Sequence, residues 1–394
     1  MDEMLAPDVT LPTDALNGTL VGRAQLSDGP SVVAIRKDGV FDLSALAPTM
    51  SDLLNADDPV AIAQRGNEKI GELAPMLANS AHDRRDPAAP FFLAPIDLQA
   101  IKASGVTFAK SMLERVIEEQ ARGDAGKADA FRRTITEVIG TDLSKIVPGS
   151  EPAMRLKAHL IDQGAWSQYL EVGIGPDAEI FTKAPPMAAV GTGALIGIRR
   201  DSTWNNPEPE LVVAVNARGD IKGATLGNDV NLRDFEGRSA LLLGKSKDNN
   251  ASAAIGPFIR LLDQTLNLDQ LRQTTISLSV SGREDGFELT GTSSMAQISR
   301  DITDLVAQTI GANHQYPDGL VLFAGTMFAP IEDRDRPGEG FTHKVGDLVT
   351  ISCPELGMLA NQIAYCDETP PWNFGTGALM KNLAKRGLLT SGAG

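Results

Sequence analysis

The alternation of apolar and polar positions predicts a chain built mainly from short β-strands. Between residues 18 and 46, runs of Val, Leu and Ile are separated by Ser-Asp-Gly-Pro and Lys-Asp-Gly, a pattern typical of two or three strands with tight turns. After residue 90 we expect at least ten further short strands, one of them over 166–172, with one or two helices among them. The clearest helix covers 302–310. This order predicts an α+β, β-rich fold, a mixed β-roll or barrel, and not a doubly wound parallel sheet.

The same pattern predicts two domains with a boundary near residue 90. Residues 1–90 are interpreted as a small N-terminal α/β domain, which ends in a stretch rich in Asp, Pro and Ala. Residues 91–394 are interpreted as the larger β-roll domain. Within it, the segment from about 115 to 164 is helical and charged and is broken by glycines, which indicates a helical insertion on the surface.

Composition narrows the classes of function. The 394 residues carry a net charge of −15, which argues against a nucleic-acid or anionic-membrane partner. No apolar window is long enough to cross a bilayer, and the first residues lack the pattern of a signal peptide, so we expect a cytoplasmic protein. Cys353 and Cys366 form no metal-binding or redox motif, and a structural disulfide is not expected.

The most informative stretch runs from residue 203 to residue 248. Glu208 and Glu210 lie two apart at the start of an apolar run, so in a strand both carboxylates point to one face. Asp229 ends the next short run and offers a third carboxylate, and Lys245 and Lys247 follow. Three carboxylates at strand ends suit a hard divalent cation. The alternative is a solvated acidic edge strand followed by a turn.

Other common catalytic signatures are missing from the sequence. It contains no dinucleotide-binding or P-loop glycine motif, no Gly-x-Ser-x-Gly elbow and no His-Glu-x-x-His. Its four scattered histidines argue against a three-histidine zinc centre; they are His82, His159, His314 and His343. Lys183, just before a double proline, is either a substrate contact or a surface strand end.

A series of short motifs, in order, resembles the fumarylacetoacetate hydrolase family. The motifs are Phe181-Thr182-Lys183, Glu208-Pro209-Glu210-Leu211, Gly227-Asn228-Asp229 through Arg233-Asp234, Gly244-Lys245-Ser246, Gly256-Pro257, Gly325-Thr326 and Val345-Gly346-Asp347. Segments such as WSQYLEV, NNPEPE and GFTHKVGD are similar to the 2-keto-3-deoxy-D-xylonate dehydratase subgroup of pentose oxidation. Each motif is weak alone, and their common order makes the resemblance specific.

The resemblance implies the C-terminal β-roll of that family, carrying Mg²⁺ or Mn²⁺ on Glu208, Glu210 and Asp229. The ion would bind the carboxylate and 2-oxo oxygens of a small 2-oxo sugar acid. Lys245, or Lys247 if the alignment shifts, would sit beside it as an acid, a base or an enolate stabiliser. Thr326 would contact the substrate carboxylate. The family also implies a homodimer or homotetramer.

One departure from the family bears on the reaction. The entry loop of the hydrolases carries a water-activating histidine followed three residues later by a glutamate. Here Ser111 stands at the histidine position and Glu114 is retained. A hydroxyl is not a general base near neutral pH without an activator. Dehydration needs no activated water, so Ser111 becomes a candidate substrate contact together with Lys183, and Glu114, Lys245 and His343 become the candidate acids and bases.

The favoured hypothesis is therefore a metal-dependent hydro-lyase that converts a 2-keto-3-deoxy sugar acid, 2-keto-3-deoxy-D-xylonate or its epimer, to 2,5-dioxopentanoate. The first alternative is hydrolytic or aldolase-type C–C cleavage of an acylpyruvate-like diketo acid, with His343 replacing the missing base. The second is a non-catalytic protein that binds 2-oxo acids. The intact carboxylates and lysines argue against this last reading.

Overall fold

The computed structural model describes residues 1–14, 16–122, 124, 127, 146–162, 166–328 and 330–389. Within the first helices, the side chains of Asp2, Lys110, Ser111, Leu113, Glu118 and Gln120 lie outside this description. In the described part, no helix is both long and apolar enough to cross a membrane.

Strands dominate the described chain. They are β1 Leu20–Leu26, β2 Gly29–Arg36, β3 Gly39–Asp42, β4 Glu68–Gly71, β5 Phe91–Leu93, β6 Ala100–Gly105, β7 Glu179–Ala184, β8 Leu195–Ile198, β9 Asn205–Asn206, β10 Pro209–Val215, β11 Ile221–Asp229, β12 Asn231–Leu232, β13 Ala253–Leu261, β14 Thr275–Ser281, β15 Glu288–Ser294, β16 Leu320–Phe323, β17 Leu348–Cys353 and β18 Gly357–Tyr365.

The helices are short and lie between the strands. They are α1 Pro7–Thr10, α2 Met50–Asn55, α3 Pro59–Arg65, α4 Leu73–Asn79, α5 Ala109–Ala121, α6 Glu151–Asp162, α7 Gln168–Ile174, α8 Arg233–Glu236, α9 Leu243–Lys247, α10 Leu268–Gln273, α11 Ile302–Thr309 and α12 Thr376–Lys385, with 3₁₀ turns at Asp2–Leu5, Ala240–Leu242 and Met295–Gln297.

The strands form a large sheet and a smaller one. In the large sheet the order is β4-β3-β2-β1-β13-β11-β10-β16-β6-β7, with β5 added beside β1. The smaller sheet has the order β15-β14-β17-β18-β8, and β9 and β12 form a separate pair. Within the described residues the large sheet is an open path, so the predicted β-rich α+β roll is confirmed in a form that does not close into a barrel.

Strand β10 is at the centre of the core and explains why its sequence is continuously apolar. Leu211 and Val213 pack in the core cluster that includes residues of the smaller sheet such as Leu278. Val212 points the other way, into a second cluster that includes Leu53 of α2. A strand covered on both faces needs apolar residues at every position. The site described below grows from the ends of this rigid strand.

The helical content exceeds the sequence prediction. The predicted strand over 166–172 is wrong, because this segment leads into α7: Ser167 caps the helix by accepting a hydrogen bond from the Tyr169 amide. Tyr169, Leu170 and Ile174 are buried at helical spacing against α5 and α6. A short apolar run does not by itself distinguish a strand from a buried helix. The helix at Ile302–Thr309, capped by Asp301, is confirmed.

The N-terminal strands are part of the large sheet, because β1 pairs with β13. The two-domain division at residue 90 stays a prediction. Of the predicted helical insertion, α6 and the end of α5 are helical, and residues 123, 125–126, 128–145 and 163–164 lie outside the described residues. Cys353 and Cys366 are both free thiols.

Candidate active site

Three carboxylates converge where β10 begins and β11 ends. Pro209 is paired with Asn228, which places Glu208 opposite Asp229, and the Asp229 amide donates to the Glu208 carbonyl oxygen at 3.0 Å. Glu210 follows on the same face of β10. One carboxylate oxygen from each of Glu208, Glu210 and Asp229 lies within 4.8 Å of the others, and all three side chains are buried. The predicted convergence of Glu208 and Glu210 with Asp229 is what the strand pairing produces.

Two buried lysines neutralise part of this charge. Lys247, at the end of α9, donates to Glu208 and to Asp229 Oδ2, the latter at 2.9 Å. Lys183 on β7 is fully buried, and its Nζ lies 2.8 Å from Asp229 Oδ1. Burial would lower the pKa of Lys247, but Asp229 and Glu208 raise it above its usual value, so its ammonium stays charged.

The loop after β16 places a backbone donor at the site. The Gly325 amide donates to Glu210 Oε2 at 2.7 Å, and Thr326 follows against the same cavity. Gly325 has φ +88°, and a Cβ there would lie 2.0 Å from Thr107 Oγ1. Only glycine therefore allows this close approach of the loop without strain.

A small cavity opens beside the carboxylates and contains further ionisable groups. Arg115 of α5 donates to Glu208 and forms an ion pair with Glu236, whose Oε2 lies 3.0 Å from Nη1. Glu179, at the start of β7, lines the same cavity and forms no ion pair with any described residue. Burial, with the nearby Glu236 carboxylate, raises the pKa of Glu179 to about 7. A Cβ at Gly105 would lie 1.9 Å from the Glu179 carboxylate, so glycine leaves the room that this side chain occupies.

The donor set fits a hard divalent cation. Burial, together with Asp229 and Glu208, raises the pKa of Glu210 well above its usual value, since like charges are held together out of water. A cation placed between the three oxygens would relieve that repulsion. Carboxylate oxygens without nitrogen or sulfur ligands suit Mg²⁺ or Mn²⁺ better than zinc or copper.

The structure does not bring all predicted site residues to this cavity. Lys245 is exposed, with its Nζ 4.8 Å from the centre of the Phe235 ring, so Lys247 is the lysine in contact with the carboxylates. Lys245 and Lys247 are two apart on a short helix, and about 200° of rotation separates their directions. Lys183 contacts Asp229 and the Val230 carbonyl oxygen and is not among the described residues that line the cavity. Its role as a substrate contact stays a prediction.

The other candidate acids and bases are not among the described residues that line the cavity. His343 is buried with its Nδ1 3.2 Å from Asp347 Oδ2, and it does not line the cavity in the described part of the chain. Glu114 is buried on α5, with Oε2 3.9 Å from Arg233 Nη2. Ser111 lies on α5, but its side chain is outside the described residues. The roles assigned to these three residues stay predictions.

Three ionisable residues that the sequence did not single out line the cavity. Arg115 and Glu236 lie on helices that are distant in sequence, and the residues around them form no pattern that predicts a functional site. Glu179 could have been found, because it alternates with Phe181 and Lys183 on one face of β7.

Comparison with known proteins identifies the family. A family model described as fumarylacetoacetate (FAA) hydrolase C-terminal matches residues 157–364, more than half of the chain. The chain belongs to this family.

Two curated relatives carry related names. The chain is 34% identical over 185 residues to a 2-dehydro-3-deoxy-D-arabinonate dehydratase of Saccharolobus solfataricus, which covers 47% of this chain and 58% of that protein. It is 27% identical over 333 residues to a probable 2-keto-3-deoxyxylonate dehydratase of Haloferax volcanii, covering 84% of this chain and 94% of that one. The first match therefore spans less than two thirds of that relative's length.

Solved structures support the fold. An apo form of 2-keto-3-deoxy-D-arabinonate dehydratase superposes with a TM-score of 0.61 at 23% identity, over 88% of this chain and 99% of that chain. A second structure of 2-keto-3-deoxy-D-arabinonate dehydratase, complexed with magnesium and 2,5-dioxopentanoate, gives a TM-score of 0.59 at 22% identity over the same shares.

Proposed function

We propose that this protein is a Mg²⁺-dependent dehydratase that converts a 2-keto-3-deoxypentonate to 2,5-dioxopentanoate. The observation that carries the proposal is the buried cluster of Glu208, Glu210 and Asp229 in contact with the charged Lys247. The names of the two curated relatives support the same reaction class.

In this proposal Glu208, Glu210 and Asp229 hold the cation. When bound, it supplies a Lewis acid that polarises the 2-oxo group and makes the C3 protons of the substrate more acidic. The Thr326 side chain lines the same cavity and is the candidate contact for the substrate carboxylate. Mn²⁺ prefers the same oxygen ligands and is the alternative ion.

The protein's own groups move the protons. Glu179 lines the cavity and forms no ion pair with a described residue, and we assign it the removal of a C3 proton. The electron pair of that C–H bond forms a C3–C4 double bond while the C4 hydroxyl leaves. Lys247, kept charged by Glu208 and Asp229, is placed to donate a proton to this leaving group, which departs as water.

The remaining steps are proton shifts. A proton moves from C5 to C3, which gives an enol between C4 and C5, and the enol tautomerises to the C5 aldehyde of 2,5-dioxopentanoate. No activated water takes part, which is consistent with a serine at position 111. Arg115 and Glu236 line the same cavity and are candidate contacts for the substrate's hydroxyl groups.

A product assay on metal-stripped protein tests the proposal. Racemic 2-keto-3-deoxypentonate is supplied with and without Mg²⁺, and 2,5-dioxopentanoate and pyruvate are both measured. We expect Mg²⁺-dependent formation of 2,5-dioxopentanoate without pyruvate, and no turnover in Glu210→Gln. Pyruvate release would contradict dehydration and favour C–C cleavage. The separate epimers then identify the C4 configuration of the substrate.

A further inference from the structure

A second cavity, of 240 Å³, lies between the N-terminal strands and the β-roll. Phe92 and Leu93 of β5 line it together with Val190 and Leu195. Residues 370–374, with the sequence Pro-Pro-Trp-Asn-Phe, complete the lining. None of the described residues that line it belongs to the Glu208–Glu210–Asp229 cluster.

The lining is mainly apolar and aromatic, and the ionisable groups among its described residues are basic. Arg23, His82 and Arg85 contribute to it, and no Asp or Glu does so among the described residues. This is notable in a chain with a net charge of −15. The charge of Arg23 is balanced by Asp97, whose Oδ2 lies 3.6 Å from the Arg23 Nε. Burial lowers the pKa of His82, which favours the neutral imidazole.

Arg85 supplies an unbalanced positive charge. Its guanidinium stacks on the Phe91 ring, 4.3 Å from the ring centre, and donates to the Ser80 carbonyl oxygen. It forms no ion pair with any described carboxylate, and its Nε has no hydrogen-bond partner. A partly buried guanidinium without an anion is costly and becomes favourable when an anion binds, since charged hydrogen bonds are stronger than neutral ones.

The backbone around the cavity adds a second observation. Met187 and Ala251 both line it, and both adopt positive φ values, +72° and +56°. Non-glycine residues in this conformation cost free energy and occur preferentially at ligand sites. The unusual backbone conformation of Met187 and Ala251 therefore distinguishes this cavity from a simple packing gap between regular elements.

We infer that this cavity is a second binding site, for a small carboxylate with an aromatic or branched apolar body. The carboxylate binds the free donors of Arg85, and the apolar body lies between Phe92 and Trp372. The volume is slightly below the roughly 300 Å³ at which small-molecule pockets usually begin, so the ligand is small. This site does not depend on the reaction proposed above.

Phenylacetate and its neutral analogue phenylacetamide test the inference on the full chain. Trp372 is 47% exposed and reports on the cavity by its fluorescence. We expect saturable phenylacetate binding that changes the Trp372 emission and raises the melting temperature. Phenylacetamide should bind at least tenfold more weakly, because it lacks the charge. Trp372→Phe should remove most of the emission change but keep the thermal shift.

Two matched variants locate the charge. Arg85→Gln should weaken phenylacetate binding at least tenfold and leave phenylacetamide unaffected, whereas Arg84→Gln, at the exposed neighbouring position, should change neither. Binding should persist in Glu208→Ala, which separates this site from the metal cluster. Equal affinity for acid and amide overturns the inference even if Arg85→Gln fails to fold. So does a Trp372 signal that follows protein concentration and ignores phenylacetate, since a second copy would then cover the cavity.

Discussion

Glu208 and Asp229 face each other across the β10–β11 pair, and the Asp229 amide donates to the Glu208 carbonyl oxygen at 3.0 Å. Asp229 ends β11 and Glu208 immediately precedes β10, so both carboxylates are held at the ends of a paired sheet. Lys247 contacts both carboxylates and bridges the two strand ends. A site fixed in this way is organised before any ion arrives, which reduces the ordering cost of binding.

Removing one of the proposed metal ligands should abolish activity without lowering the melting temperature. Glu210→Gln is expected to abolish Mg²⁺-dependent turnover, while the metal-free variant melts at or above the wild-type temperature, because burial and like charge raise the pKa of Glu210. Wild-type protein should gain about 2.7 kcal/mol of stability at a Mg²⁺ concentration 100 times the dissociation constant, and the variant none. Calorimetry with and without Mg²⁺ measures this, with a substitution at the exposed Glu288 of β15, Glu288→Gln, as the control. A variant that keeps the Mg²⁺ stabilisation would exclude Glu210 as a ligand.

Alanine substitutions of the two lysines of α9, Lys245 and Lys247, should have very different effects on kcat. Lys247→Ala is expected to reduce kcat by about 10²- to 10⁴-fold, the usual range for a lost acid–base group. Lys245→Ala should retain most activity, because its ammonium is exposed and lies over Phe235. Steady-state kinetics at saturating Mg²⁺ measures both. Comparable losses would show that Lys245 also reaches the substrate.

The acid–base candidates can be ranked by amide substitution. Glu179→Gln is expected to lower kcat by at least about 10²-fold while Mg²⁺ affinity changes little, since Glu179 lines the cavity without belonging to the metal cluster. Glu114→Gln and His343→Gln should have smaller effects on kcat. Hydrogen exchange at C3 of the substrate gives an independent measure of proton removal. If hydrogen exchange survives in Glu179→Gln but is lost in Glu114→Gln, the residue that removes the C3 proton is Glu114 and not Glu179.

Gly325 offers a test of how backbone geometry supports the site. Gly325→Ala combines a positive φ with a clash against Thr107, and should cost about 1–3 kcal/mol or more and weaken Mg²⁺ binding through Glu210. Gly338→Ala is the matched control, because φ is +82° there and no atom lies within 4 Å of the added Cβ. Denaturant unfolding and Mg²⁺ titration of both variants make the comparison. Equal behaviour of the two would assign the effect to φ alone.

The thiols should be unreactive in the folded protein. Burial raises the pKa of Cys353 to about 12 and that of Cys366 to about 11. The thiolate is the reactive form, so at pH 8 both side chains remain protonated thiols. An aromatic disulfide reagent should label neither at an appreciable rate until denaturant is added, and then label two per chain. Rapid labelling of the folded protein would contradict the burial of these residues.

The sequence was most informative where function depends on strand geometry. The two-residue spacing of Glu208 and Glu210 determines that they share a face, and the end of the next strand brings Asp229 opposite. The choice between Lys245 and Lys247 depends on the rotation of a short helix, which spacing alone does not fix. Arg115 reaches Glu208 from 93 residues away, a contact that no local pattern records.

The dependence on contacts between distant residues also explains the errors in the fold prediction. Residues 166–172 have an apolar content that suits either a strand or a helix, and their packing against α5 decided the outcome. The order of the strands in the sheet could not be predicted from the sequence either, because β1 and β13 pair although more than 200 residues separate them.

The pairing of β1 with β13 determines where this protein can be truncated. The segment matched by the family model begins at residue 157, yet β13 and β16 inside it take neighbours, β1 and β6, from before that point. A fragment trimmed to the matched segment would leave main-chain groups of both strands without partners, and exposed strand edges of this kind recruit other chains. The limits of the recognisable family segment are therefore not those of an autonomous folding unit, and a transplanted or truncated version must carry the N-terminal strands with it.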